Sequence, residues 1–484
     1  MLVTCGKVRY KSFLMQFIEK NILVLYLQNP FSNYEKKWAA SGIKRYTFLY
    51  FLSQFFVLRM ALVLPNYKTE PYRVIPGATR TRFTDNGFVL YLIPMPYRIN
   101  YSVRLRIWTG YAYEGKRVGA TEWLEHVFVF APKISSGLVP LEGSVYGDVD
   151  RLYTDIHIVA AKSPEIAIKL LFGAIKHFES YLEIFERERA SRRDEDKRVH
   201  DNPDELLEHA MFSAVFDGTK LGKSSLIFST DSGYSRAVDI ESMLKYKETW
   251  LVPNNMRIAV AGPIQNPRSI IDETACTFGK MKRHLIRRPS TSVSLTTPNT
   301  VKEVDRPFLR LSTAAAWRTY PHIISNSEVL AYLIGLKLLQ GVLASDNGRL
   351  SSLRDVSYDP GAEYHEIGAF SIDFGTDPRN FRSARERKLE IVDEIRKKGI
   401  TQEELKAAKS YVYSELNRIL DDPEKMTEMV LNNQNPSSLL HDPSEFRRLI
   451  RNARRDPVVQ AAQKFLDPQN YASAVVGPLE KINR

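Results

Sequence analysis

After residue 305 the chain repeats an order of elements that it has already used once. The strand-like "FLRLSTAAAW" leads to the helix-like "NSEVLAYLIGLKLLQGVL", then to the strand-like "GAFSIDFGTD" and the helix-like "SARERKLEIVDEIRKKG". Earlier, the same order runs through "YSVRLRIW" (101–108), "GATEWLEHVFVF" (119–130), "GDVDRLYTDIHIVA" and a helix that opens at Ser163-Pro164. A sheet or a helix has an apolar face and needs a second layer to bury it. An order used twice therefore predicts two related halves, each with its own core.

The local patterns support those elements. In "YSVRLRIW" Val103, Leu105 and Ile107 alternate with Arg104 and Arg106, the period of a strand with one buried face. "DNGFVLYLIP" reads as a turn at Asp85-Asn86-Gly87 followed by a strand. Ser163 as N-cap and Pro164 at the first helical position open a helix. Its apolar residues, Ile168 through Phe185, recur at three and four and carry it to about Val199. Thr401 and Glu404 have the spacing of a capping box. A polar, basic stretch, "RRPSTSVSLTTPNTVKEVD" (287–305), reads as the linker between the halves. The predicted division is an extension at 1–59, a first half at 60–286, the linker, and a second half at 306–484.

Composition narrows the class. At 484 residues with 44% apolar and 26% charged residues, the chain is long enough for several cores and has the balance of a folded soluble protein. Two cysteines exclude a disulfide framework. The net charge of +12 is uneven. Residues 1–59 hold nine Lys and Arg against Glu19 and Glu35, a balance of +7, which leaves +5 for the rest. That distribution does not describe a nucleic-acid-binding body, and no nucleic acid is expected as a partner. The uncharged run "YTFLYFLSQFFVL" (46–58) is shorter than the about 20 apolar residues needed to span a bilayer. The extension reads as an anchor, an organelle presequence or a segment upstream of a start at Met60. A cytoplasmic location is favoured, with mitochondrial or membrane-associated ones open.

One pentapeptide carries chemistry. In "EWLEH" the residues Glu122, Glu125 and His126 fall at i, i+3 and i+4, so they share a helix face, while Trp123 and Leu124 turn into packing. The inverted zinc motif H-x-x-E-H has this geometry: the outer pair ligates and the middle Glu serves as general base. Here the outer pair is Glu122 and His126, and an ordinary amphipathic turn would look the same.

The context resembles the pitrilysin/insulinase family of zinc peptidases, which includes the mitochondrial processing peptidase. The matching residues are Asn86-Gly87 before the strand, Gly110, Glu114 and Gly119 before the motif, the glutamates Glu188 and Glu195 ahead of Asp201-Asn202-Pro203, and "YKETWLVPNNMRIAVAGPI". The resemblance implies an α+β fold, two homologous halves, each a mainly antiparallel sheet covered by helices, of the metallopeptidase clam-shell type. It implies zinc as cofactor, with Glu122, His126 and Glu195 at the ligand positions, Glu188 as a supporting carboxylate and Glu125 as catalytic base. In the second half it places Arg354 and Tyr358 at substrate-binding positions. Since the family builds a peptide chamber from two such chains, it also implies a homodimer, or a heterodimer with a catalytically intact family member, and a peptide substrate.

The chain departs from the family at three places: Glu122 replaces the first ligand His, "VFAPK" replaces F-x-G-T, and "GSVYGDVDRLYTD" replaces an Asn-Ala-x-Thr strand. Two histidines and one glutamate leave a zinc site with one positive charge; Glu122, His126 and Glu195 leave it neutral, which polarises its bound water less, and a carboxylate-rich, harder site shifts metal preference away from zinc. The expectation is a weakly active or non-catalytic member of the family, with an active metal-dependent endopeptidase as the alternative.

Overall fold

The structure, a computed structural model, describes residues 64–115, 119–134, 142–181, 200–222, 238–286, 296–319, 327–344, 355–359, 368–432 and 443–482, with Arg117, Arg198, Ser294 and Arg349. Pro65–Arg484 form one compact unit.

Seven strands make the first sheet: β1 Tyr67–Pro71, β2 Thr79–Phe83, β3 Val89–Pro94, β4 Tyr101–Ile107, β5 Gly143–Val149, β6 Thr154–Ala160 and β7 Met256–Gly262. Their order is β1-β2-β3-β7-β4-β6-β5. Five make the second: β8 Val301–Asp305, β9 Leu311–Thr319, β10 Asp355–Asp359, β11 Gly368–Thr376 and β12 Ala472–Gly477, in the order β10-β11-β9-β12-β8. The second sheet repeats the core of the first strand for strand. β3 lies parallel to β7 and β8 parallel to β12, and every other neighbour in both sheets is antiparallel. The two-half, mainly antiparallel α+β fold expected from the sequence is the fold observed. Val301–Asp305, read as the end of the linker, is the edge strand β8.

The helices relevant here are α1 Ala120–Ile134, α2 Pro164–Lys176, α3 Pro203–Val215, α4 Ile240–Trp250, α5 Pro267–Cys276, α6 Ser327–Ala344, α7 Phe381–Lys398, α8 Gln402–Asp421 and α9 Pro423–Asn432. The capping box at Thr401 and Glu404 is formed, with both hydrogen bonds present. Ser163 does not cap α2: its backbone is left-handed at φ 54° and its side chain leaves the helix amides alone, though Pro164 is the first helical residue as expected. The helix ends at Lys176, and residues 182–197 lie outside the described part.

The halves are joined by an exchange of helices. α3 comes from the first half in chain order but packs on β12, β9 and β8 of the second sheet. α9 comes from the second half but packs on β7, β4 and β3 of the first. These are the equivalent strands of the two sheets. Met426, Met429, Val430 and Leu431 of α9 join one core with Val89, Tyr91, Ile93 and Ala259. This corrects the reading of β4 as half-buried. Arg104 and Arg106 do not face water, because α9 covers them. Arg106 donates from Nε to Asp155 Oδ1 at 2.7 Å and from Nη2 to Oδ2 at 2.6 Å, and a third donor reaches the Asn432 side chain. Arg104 donates to Asp155 Oδ2 at 3.1 Å and to the Glu424 carbonyl at 3.3 Å. Burial alone would raise the Asp155 carboxyl; Arg106 and Arg104 overcome it and hold the group below its usual value.

Beneath β11 lies a buried amine that its surroundings oppose. Lys388 of α7 donates to the Ile372 carbonyl at 3.3 Å and lies 4.4 Å from the centre of the Phe374 ring. Burial pushes its pKa down to about 7 from an ordinary 10.5, with Asp373 opposing the shift and Arg385 adding to it. Between those two values the unfolded chain holds more protons than the folded one, so stability rises with pH. The penalty is full below about 7 and gone above 10.5. Urea unfolding should therefore show Lys388→Met more stable than the native chain at neutral pH, with the gap closing as pH rises through that window. A gap independent of pH would mean that Lys388 keeps its proton throughout.

Candidate active site

The motif helix is held at its start by residues that the sequence resemblance had picked out. At the end of β4 the chain turns at Gly110, where a Cβ would lie 2.2 Å from the Asp150 carbonyl, so no larger residue fits. Gly119 takes φ 89° immediately before α1. The buried Glu114 accepts from the Gly119 amide at 3.0 Å, from the Thr121 amide at 3.0 Å and from the Thr121 hydroxyl. A helix's first amides lack intrahelical partners, and a carboxylate there also meets the positive end of the helix dipole. Asn86 ties the strand entry to the far end of the half, donating to the carbonyls of Phe278, Gly279 and Met281. These residues position the start of the motif helix.

On α1 the three motif residues divide. Trp123 and Leu124 are buried, as the periodicity required. Glu122, 4% exposed, turns toward the loop after β4, where the Tyr111 hydroxyl donates to its Oε1 at 2.9 Å. Glu125 and His126 stay together, with 3.7 Å between Oε2 and Nε2. The His126 ring lies between Trp123, at 6.0 Å, and Phe130, at 5.8 Å. Glu125 rests over Gly147 of β5, where a Cβ would lie 1.9 Å from its Oε1. A glycine in the altered strand thus makes room for the candidate base.

Among the described residues no three His, Cys, Asp or Glu side chains are grouped so as to hold a metal. Glu122, Glu125 and His126 alone therefore do not fit zinc. Glu188, Glu195 and Arg354 lie outside the described residues, and Tyr358 lies on the edge strand β10 with its side chain outside them.

Tyr111, Gly147 and His209 were not foreseen. His209 of α3 presents its ring edge-on to Tyr111 at 6.5 Å, and burial, helped by Arg151 and His200, pushes its pKa down to about 4. It is therefore neutral at physiological pH. Tyr111 follows Gly110 directly, yet nothing in the sequence says that its hydroxyl meets Glu122 eleven residues on.

The architecture is α+β, with the motif helix on the first of two duplicated sheet-and-helix halves. A family model described as the peptidase M16 inactive domain matches residues 237–412. An uncharacterized zinc protease of Bacillus subtilis (strain 168), YmxG, is 24% identical over 397 residues, 78% of this chain and 93% of that protein. A chain of complex III2 from Candida albicans superposes with a TM-score of 0.67 at 14% identity, over 82% of this chain and 95% of that one. A protease from Helicobacter pylori gives 0.66 at 13% identity, over 86% and 100%. A peptidase M16 inactive domain from Pseudomonas fluorescens gives 0.64 at 14%, over 85% and 98%. These similarities run to the M16 peptidases, the pitrilysin/insulinase-type family that the sequence resembles.

The seat of Glu125 generates a prediction. The three atoms nearest to a Cβ at Gly147 all belong to the Glu125 side chain, so Gly147→Ala should force that glutamate to rotate away, at a modest cost in melting temperature. In a variant given hydrolytic activity, Gly147→Ala should then remove that activity as thoroughly as Glu125→Gln. Cleavage of a quenched fluorescent peptide reads the outcome; retained activity would mean that Glu125 works from a different position.

Proposed function

We propose that this M16 peptidase-like chain has little or no hydrolytic activity of its own and serves as one wall of a peptide-holding chamber. The other wall is a catalytically intact relative or a second copy. The observation that carries this reading is the state of Glu122. The residue at the first ligand position is a buried carboxylate that accepts a hydrogen bond from Tyr111. A metal at this position would face a donor set one charge more negative than the two-histidine arrangement, with weaker activation of bound water. The replaced F-x-G-T segment and the altered edge strand β5 point the same way, since that strand is where an extended peptide would add to the sheet. A second reading, an active endopeptidase, draws on the room that Gly147 leaves for Glu125.

One set of variants decides between them. The native chain should retain little zinc after dialysis and cleave unstructured peptides slowly or not at all. Glu122→His, with His126 and Glu195, restores two histidines and one glutamate, and it should bind zinc more tightly and gain peptidase activity that Glu125→Gln abolishes. Brisk native cleavage that a chelator stops would favour the second reading. Unchanged zinc retention in Glu122→His would show that Glu122, His126 and Glu195 do not converge. A monomeric mass by light scattering, unaltered by an intact relative, would remove the chamber.

A further inference from the structure

We infer that the second half of the molecule sets the position of Glu122, acting through α3 and Tyr111. The inference rests on the reading of Glu122 as the altered first ligand position. α3 lies on the second sheet, burying Leu206, Leu207, Ala210, Met211 and Ala214. Its C-terminal end is gripped from that sheet. Arg318 of β9 donates from Nε to the Val215 carbonyl at 2.6 Å, and a cation there also complements the negative end of the helix dipole. Lys302 of β8 adds a contact of 3.2 Å to Asp217.

The same helix braces the loop that holds Glu122. His209 meets the Tyr111 ring edge-on. Phe212 carries the Arg151 guanidinium at 3.6 Å from its ring centre. The backbone beside that arginine holds the loop in turn, because the Tyr111 amide donates to the Asp150 carbonyl at 3.3 Å and the Ala112 amide to the Arg151 carbonyl at 2.8 Å. Tyr111 is thus fixed at its ring and at its backbone by groups seated on α3, and its hydroxyl fixes Glu122. Cores transmit displacement because they are close-packed. A shift of the second sheet moves α3, and through it the donor to Glu122. Arg318 and His209 are positioning residues for the motif.

Hydrogen exchange on the full chain, read by mass spectrometry, tests this without any metal and so separately from the reading of the site. Arg318→Met should speed exchange of the peptide spanning 109–114, which contains the Tyr111 and Ala112 amides, by roughly tenfold. His209→Ala should do the same. The peptide spanning 83–88, anchored by the bonds between Phe83 and Phe88, should keep its native rate. If Arg318→Met fails to fold, Lys302→Ala should give the same pattern at smaller amplitude. Unchanged exchange at 109–114 would overturn the inference, whether or not α3 loosens. Equal acceleration at 83–88 would also overturn it, by showing a general loss of stability.

Discussion

Two buried arginines, each reaching the C-terminal end of a helix contributed by the opposite half, set the terms for the rest of this structure. Arg106, on β4, donates to Asn432 at the last turn of α9. Arg318, on β9, donates to the carbonyl of Val215 at the last residue of α3. The two strands are equivalents in the duplicated sheets. A guanidinium is expensive to bury, and losing one partner of a buried pair typically costs about 3–5 kcal/mol. Asp155 on the neighbouring strand pairs with Arg106, and a side chain or carbonyl of the foreign helix adds a further partner to each arginine. The polar contacts thus sit beside the apolar ones at each helix–sheet junction. Ser102 and Thr427, hydroxyls 3.1 Å apart at the α9 junction, add another.

The exchange determines what the candidate site can be. α1 is fastened within its own half by Glu114, whereas the loop that holds Glu122 leans on α3 and so on the second sheet. The second half has no inverted motif, yet it does more than duplicate a scaffold. It covers one face of the first sheet with α9, including Arg104 and Arg106, and receives the helix that braces Tyr111. The residues that fasten this architecture, Glu114 at the start of α1 and the arginines under the exchanged helices, are distinct from Glu122.

Much of this was legible in the sequence. The duplicated order pointed to both halves, and the family resemblance picked out Asn86, Gly110, Glu114 and Gly119, each of which meets a backbone demand in the structure. The alternation in "YSVRLRIW" located β4 correctly but misjudged its environment. Period two shows that Arg104 and Arg106 share a face; it cannot show that a helix from more than 300 residues away covers that face. Ser163 misled in another way: the serine-proline pair starts α2, but a left-handed backbone carries the hydroxyl off the helix amides. The bond from Tyr111 to Glu122 and the space over Gly147 were invisible for one reason. Both depend on how a loop and an edge strand fold back onto α1, and no periodicity encodes that.

The central claim is that the two halves are one interlocked body rather than two domains on a linker. The direct test divides the chain within residues 287–300 and produces the halves separately and together. Each half alone lacks the helix that covers its sheet, and with it the hydrogen bond that its arginine makes to that helix. Each should therefore aggregate or fail to unfold cooperatively, whereas the two made together should copurify one to one and melt in a single transition. A sharp, cooperative transition from either half alone would contradict the account.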